Sequence, residues 1–153
     1  MTARNADTDN EGGRTTLPKA GTAPIAPHIL IAEDQPAIQD LLCWTLRLAG
    51  YRTMVCAGRY AALTWRDLAM PSGDDPVVLL LDLSLLCSNE AADFLRRLRA
   101  RWQDTGGMLP QIIVLTTNTQ MHAALGLRER VLQKPFHVRD LIALIQQVIP
   151  VTS

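Results

Sequence analysis

Five consecutive aliphatic residues, Val77–Leu81, stop abruptly at Asp82. A run this short is not an ordinary helix, and no polar residue alternates within it. It therefore predicts a strand covered on both faces. Three other short apolar runs end in the same manner. His28–Ala32 halts at Glu33-Asp34, Gln111–Leu115 at Thr116, and Val131–Gln133 at Lys134. Helical patterns lie between them. Pro36 opens one, with Ile38, Leu41, Leu42, Thr45 and Leu46 at helical spacing and Gly50 closing it. Arg52–Ala57 reads as a further strand and Arg59–Met70 as a helix. Glu90–Gln103 forms another helix with Phe94, Leu95, Leu98 and Trp102 inward. A short helix is expected around Gln120–Leu127, and an amphipathic one over Val138–Ile149. Strands alternating with helices imply right-handed crossovers, hence an α/β, doubly wound, five-stranded parallel sheet.

Ligands of such sheets bind beyond the carboxyl ends of the strands. The unusual polar residues of this chain, Glu33, Asp34, Asp82, Thr116 and Lys134, all stand there. Taken singly, each has an ordinary structural reading as a turn, cap or loop residue. Their weight comes from falling in this order on successive strand ends.

Composition narrows the chemistry. The net charge of the 153 residues is zero, which argues against a dedicated nucleic-acid binder. Cys43, Cys56 and Cys87 are scattered, without metal-ligand spacing, as expected of a reducing cytoplasm. No apolar run reaches membrane-spanning length. Residues 1–27 contain no aromatic and read as a disordered leader, residues 28–150 as the globular domain and residues 151–153 as a tail. Thirteen of the fifteen basic residues are arginine, and the lysines are Lys19 and Lys134 alone. A lysine at a strand end is therefore a specific choice of a compact point charge over a planar fork.

Three converging carboxylates repel one another unless they take up protons or bind a cation. Oxygen ligands alone favour a hard ion, and a few carboxylates plus water is a Mg²⁺ arrangement. Glu33 and Asp34 are the expected ligands, Asp34 the more direct, with Asp82 and the backbone carbonyl of Ser84. A carboxylate beside such an ion can attack a phosphoryl donor to form an aspartyl-phosphate. The transferred group then needs its oxygens stabilised, which Mg²⁺, the Thr116 hydroxyl and the Lys134 ammonium can do.

The stretches Ile29-Leu-Ile-Ala-Glu-Asp-Gln-Pro36, Val77-Val-Leu-Leu-Leu-Asp-Leu83, Ile112-Ile-Val-Leu-Thr116 and Val131-Leu-Gln-Lys-Pro-Phe136 resemble the receiver domain of bacterial response regulators. The resemblance spans about residues 28 to 150 and implies a flavodoxin-like (βα)5 receiver. It implies Asp82 as phosphoacceptor, Glu33 and Asp34 as metal carboxylates, Thr116 as the switch hydroxyl and Lys134 as the phosphate cation. It also implies a histidine kinase or histidine phosphotransfer protein as phosphoryl source. In the family the first helix docks these partners, which makes Trp44 and Ile38 candidate contacts. Cys43 and Trp44 fall off the apolar stripe of that helix and are expected to be exposed.

The chain also departs from the family's pattern. Leu85-Leu86 replaces the usual Met-Pro, Ala91 the following glycine, and Cys87-Ser-Asn89 lengthens the loop by one residue. Thr117 follows the switch threonine where a small residue is usual, and Val131 occupies the place of the switch aromatic. Phosphorylation chemistry is thus expected to be intact and the threonine–aromatic relay is not.

Three functions follow from these residues. The first is a stand-alone phosphoryl-accepting receiver whose output is protein binding, the expectation unless the 153 residues are excised from a longer chain. The second is a receiver-fold scaffold independent of phosphorylation. The third is a hydrolase turning over an aspartyl-phosphate, disfavoured by Ser84 where such enzymes carry an acidic residue. Arg96, Arg97, Arg99 and Arg101 read as a solvated basic face.

Overall fold

The computed structural model describes residues 27–56, 76–86, 90–104, 109–124 and 129–149. Its elements are β1 (His28–Ala32), α1 (Pro36–Leu48), β2 (Arg52–Cys56), β3 (Val77–Asp82), a 3₁₀ turn (Leu83–Leu85), α2 (Ala91–Gln103), β4 (Gln111–Thr116), α3 (Thr119–Ala124), β5 (Arg130–Gln133) and α4 (Val138–Val148). The strands form one parallel sheet in the order β2-β1-β3-β4-β5. The helix expected over 59–70 lies outside the described residues, as do the leader up to residue 26 and the tail. Pro27, assigned to the leader by sequence, is buried, and its carbonyl accepts the Arg52 N–H at 3.4 Å.

Alternation across the sheet explains the unbroken aliphatic runs. Successive strand side chains point to opposite faces, and here both faces are covered. Leu30, Leu79, Leu81, Ile112 and Val114 pack with Phe94, Leu95, Leu98 and Trp102 of α2. Ile29, Ile31, Val78, Leu80, Ile113 and Leu115 pack on the other side with Leu42 and Leu46 of α1 and Leu141 and Ile145 of α4. Each fully buried side chain of this size stabilises the fold by about 1.5–3 kcal/mol relative to exposure. The edge strands β2 and β5 expose part of their length, with Cys56 and Leu132 still packed on the core.

The end of α1 shows how sequence sets a turn. Gly50, at φ +91°, donates its N–H to Arg47 O, and Tyr51 N–H reaches Leu46 O, both at 3.0 Å. This is a Schellman closure, in which a glycine takes the left-handed residue. Tyr51 then packs on the same core cluster as Leu46.

α1 corrects part of the sequence reading. Trp44 is 67% exposed as expected, but Cys43 is half-buried against the core. Ile38 is half-buried against the same cluster and keeps part of its side chain at the surface. Leu41, which the helical spacing placed inward, is exposed. The stripe that reaches the core is therefore turned toward Cys43 and away from Leu41, with Leu42 and Leu46 at its centre.

The departure at Leu86 also has a structural role. Leu86 is buried, and its N–H donates to Leu83 O at 3.1 Å, closing the 3₁₀ turn. Proline has no N–H and cannot make that bond.

Candidate functional site

Register brings the strand ends level. Ala32 pairs with Leu81, so Glu33 comes beside Asp82. Asp82 pairs with Leu115, and Thr116 pairs with Gln133, the residue before Lys134. Glu33 shares the parity of Ile29 and Ile31, and Asp82 that of Val78 and Leu80. Both carboxylates therefore fall on the sheet face that α1 and α4 cover.

Asp82 is 1% exposed. Its Oδ1 accepts the Ser84 N–H at 3.0 Å, and its Oδ2 accepts both the Ser84 hydroxyl at 2.7 Å and Lys134 Nζ at 3.0 Å. Glu33 is fully buried. Its Oε1 accepts the N–H groups of Asp34 and Gln35, each at 3.1 Å, and its Oε2 accepts Lys134 Nζ at 2.8 Å. The Gln39 side-chain amide donates to the Glu33 carbonyl and pins the start of α1 to the end of β1. Asp34 is exposed, and one oxygen from each of Glu33, Asp34 and Asp82 lies within 4.8 Å of the others.

The electrostatics follow from burial and this bonding. Burial pushes Asp82 upward, but the Ser84 hydroxyl and N–H and the Lys134 ammonium outweigh it and hold the carboxyl below its usual range. For Glu33 burial wins, so its carboxyl lies above the ordinary value despite Lys134 and the Gln35 N–H, with Asp82 adding to the rise. Burial works to lower Lys134, yet its bonds to Glu33 and Asp82 hold it above the usual lysine value. Among the described residues, three acids against one ammonium leave an excess of negative charge at the cluster.

Thr116, buried at the end of β4, has its hydroxyl engaged with Asn118. It accepts the Asn118 N–H at 3.0 Å and faces the Asn118 carbonyl at 3.2 Å. The Thr116 carbonyl accepts the Lys134 N–H at 2.7 Å, and the Lys134–Pro135 peptide is cis. The acids and Lys134 are thus assembled, while the Thr116 hydroxyl is directed to its own loop.

Three features escaped sequence reasoning: the Ser84 side chain on Asp82, the Gln39 brace and the Asn118 hold on Thr116. A hydroxyl or amide two residues from its partner is a common local turn bond, and that spacing was the available signal for Ser84 and Asn118. The arginine row on α2 is less bare than expected. Arg96 pairs with Asp93, and Arg99 with the nearly buried Glu129.

No protein-family model matches the chain. It is 31% identical over 150 residues to the alkaline phosphatase synthesis transcriptional regulatory protein SphR of Synechococcus elongatus, covering 94% of this chain and 55% of SphR. It is 32% identical over 124 residues to the sensory transduction protein RegX3 of Mycobacterium tuberculosis, covering 79% of this chain and 50% of RegX3. The chemotaxis protein CheY4 of Vibrio cholerae superimposes with a TM-score of 0.62 at 25% identity, over 81% of this chain and 99% of CheY4. The chain contains a response-regulator receiver domain. This receiver has the five-stranded parallel sheet and flanking helices of the CheY-like fold. The sensor histidine kinase PA1611 receiver domain of Pseudomonas aeruginosa, solved with a magnesium ion coordinated in its active-site cleft, has the same fold (TM-score 0.58, 23% identity, 80% of this chain and 96% of that one). The chain spans about half the length of the curated relatives it matches.

Proposed function

We propose that this receiver accepts a phosphoryl group on Asp82, with Mg²⁺, and signals through binding to another protein. The observation that carries the reading is the Lys134 ammonium on Asp82 Oδ2 beside a three-carboxylate cluster. The donor set fits a hard divalent cation, being oxygen only and in charge excess over its single ammonium. Asp34, Asp82 and the Ser84 backbone carbonyl would hold it, with Glu33, whose oxygens accept from the Asp34 and Gln35 N–H groups and Lys134 Nζ, adding negative charge beside it. When bound, Mg²⁺ would supply positive charge for the phosphoryl oxygens. Asp82 is then the nucleophile, Lys134 the fixed cation, and Thr116 the hydroxyl that turns from Asn118 to the incoming group.

The proposed phosphoryl source is a histidine kinase or histidine phosphotransfer protein. The proposed setting is the cytoplasm, consistent with the finding that no helix among the described residues is long and apolar enough to cross a membrane. We read the receiver as a signalling module rather than an enzyme. Ser84 stands where an aspartyl-phosphate hydrolase would need a free acid, and its hydroxyl is already committed to Asp82. Intact-mass measurement after incubation with acetyl phosphate and Mg²⁺ tests the reading. A phosphoryl adduct is expected on the wild type and not on Asp82→Asn, and equal labelling of the two would reject Asp82 as acceptor.

A further inference from the structure

Asp82 must meet a phosphoryl donor, yet its carboxylate is almost completely covered. Each carboxylate oxygen has about two lone-pair sites. Those of Oδ2 are both taken, by Lys134 Nζ and the Ser84 hydroxyl, while among the described residues Oδ1 takes the Ser84 N–H alone. With one Asp82 oxygen joining phosphorus and the other open to the divalent cation proposed above, Oδ2 has to shed a donor. The two donors differ in freedom. Lys134 is mostly buried and is also held by Glu33 at 2.8 Å. Ser84 is exposed, and its hydroxyl leaves by rotation about a single side-chain bond. Its N–H, by contrast, is fixed in the 3₁₀ turn that Asp82 caps.

We infer that the Ser84 hydroxyl is a latch on the acceptor carboxylate, holding Asp82 Oδ2 in the resting state and rotating off before phosphoryl transfer. The inference rests on Asp82 being the phosphoacceptor. In the transfer an Asp82 carboxylate oxygen forms the bond to phosphorus as the bond from phosphorus to the acetate oxygen of acetyl phosphate breaks. Acetate departs with the electron pair, and Ser84 keeps its proton throughout. Ser84 is thus a positioning residue that acts through Asp82. A hydrogen bond to an ionised acceptor is stronger than a neutral one, so releasing it slows loading by about tenfold.

The test uses the full chain as wild type, Ser84→Ala, Ser84→Thr and Asp82→Asn. Initial loading rates are read by intact mass over a range of acetyl phosphate concentrations with Mg²⁺. Ser84→Ala, which keeps the backbone N–H bond, is expected to load about tenfold faster, while Ser84→Thr, which keeps a hydroxyl, stays slow. A wild type too slow to detect beside a labelled Ser84→Ala also supports the latch. If Ser84→Ala loads no faster than wild type, or Ser84→Thr loads as fast as Ser84→Ala, the latch is overturned and the acceptor reading stands. If Asp82→Asn labels like wild type, or no variant labels, the acceptor reading falls and the latch with it.

Discussion

Lys134 Nζ lies 3.0 Å from Asp82 Oδ2, although 52 residues separate the two in the chain. The same ammonium reaches Glu33 at 2.8 Å across 101 residues. One cation therefore ties together the ends of β5, β3 and β1. It is the receiver's sole lysine apart from Lys19 in the N-terminal stretch.

That geometry suits a point charge. Lys134→Arg keeps the charge but spreads it over a planar fork, which cannot meet Glu33 Oε2 and Asp82 Oδ2 from the same position. The fold is expected to survive, with loading by acetyl phosphate at least about tenfold slower. Loading at the wild-type rate, measured by intact mass, would remove the special role of lysine here.

Asp34 is the exposed member of the acidic cluster and the one whose oxygens are most open to an ion. Asp34→Ala should abolish the Mg²⁺-dependent amide shift changes at residues 33–35 and 82–84. A titration of ¹⁵N-labelled protein checks this, and unchanged Mg²⁺ response in the variant would put the ion elsewhere.

Switching is expected to run through loops rather than through β5. Val131 is half-buried, pairs with Val114 and has no ring to swing. If the Thr116 hydroxyl turns toward a phosphoryl group, it leaves the Asn118 N–H it now holds. With beryllofluoride and Mg²⁺, the amide shifts of residues 84–91 and 116–126, Asn118 foremost, should move more than those around Val131. Dominant changes on β5 and α4 with a quiet Asn118 would contradict this route.

The acid limb of stability carries Asp82's signature. Its folded-state pKa lies below the ordinary aspartate value, so its contribution is fully present above the unfolded-state value. It is lost as pH falls through the lower folded-state value. Glu33 has the opposite sign: its raised pKa disfavours folding above its unfolded value of about 4.3, and that penalty fades on acidification. In urea melts without divalent ions, Asp82→Ala should lose stability less steeply than wild type below about pH 4. Superimposable acid limbs would mean that Asp82 contributes nothing there.

On α1, adjacent stripes should respond very differently. Leu42 is buried and Leu42→Ala is expected to destabilise by about 2–5 kcal/mol. Trp44 is exposed, and Trp44→Ala should change stability by no more than about 0.5 kcal/mol. Loading by acetyl phosphate should also be unaffected by Trp44→Ala, while transfer from a phosphorylated histidine partner slows. Urea midpoints and the two loading assays separate a docking residue from a structural one.

Much of this receiver is legible in its sequence. Uninterrupted aliphatic runs mean strands with both faces buried, because alternate residues of Val77–Leu81 meet α2 on one side and α1 and α4 on the other. The polar stops after those runs marked Glu33, Asp34, Asp82, Thr116 and Lys134, since in a parallel sheet strand ends of one sense lie together. What a linear pattern does not carry is which atom meets which. The half-burial of Ile38 and Cys43, the exposure of Leu41, the Ser84 hydroxyl on Asp82 Oδ2 and the Asn118 hold on Thr116 depend on angles and rotamers. Those are set only when helices settle on the sheet and each buried polar atom finds a partner. Residue type and spacing determined where the chemistry stands, and tertiary packing decided how the acceptor is held.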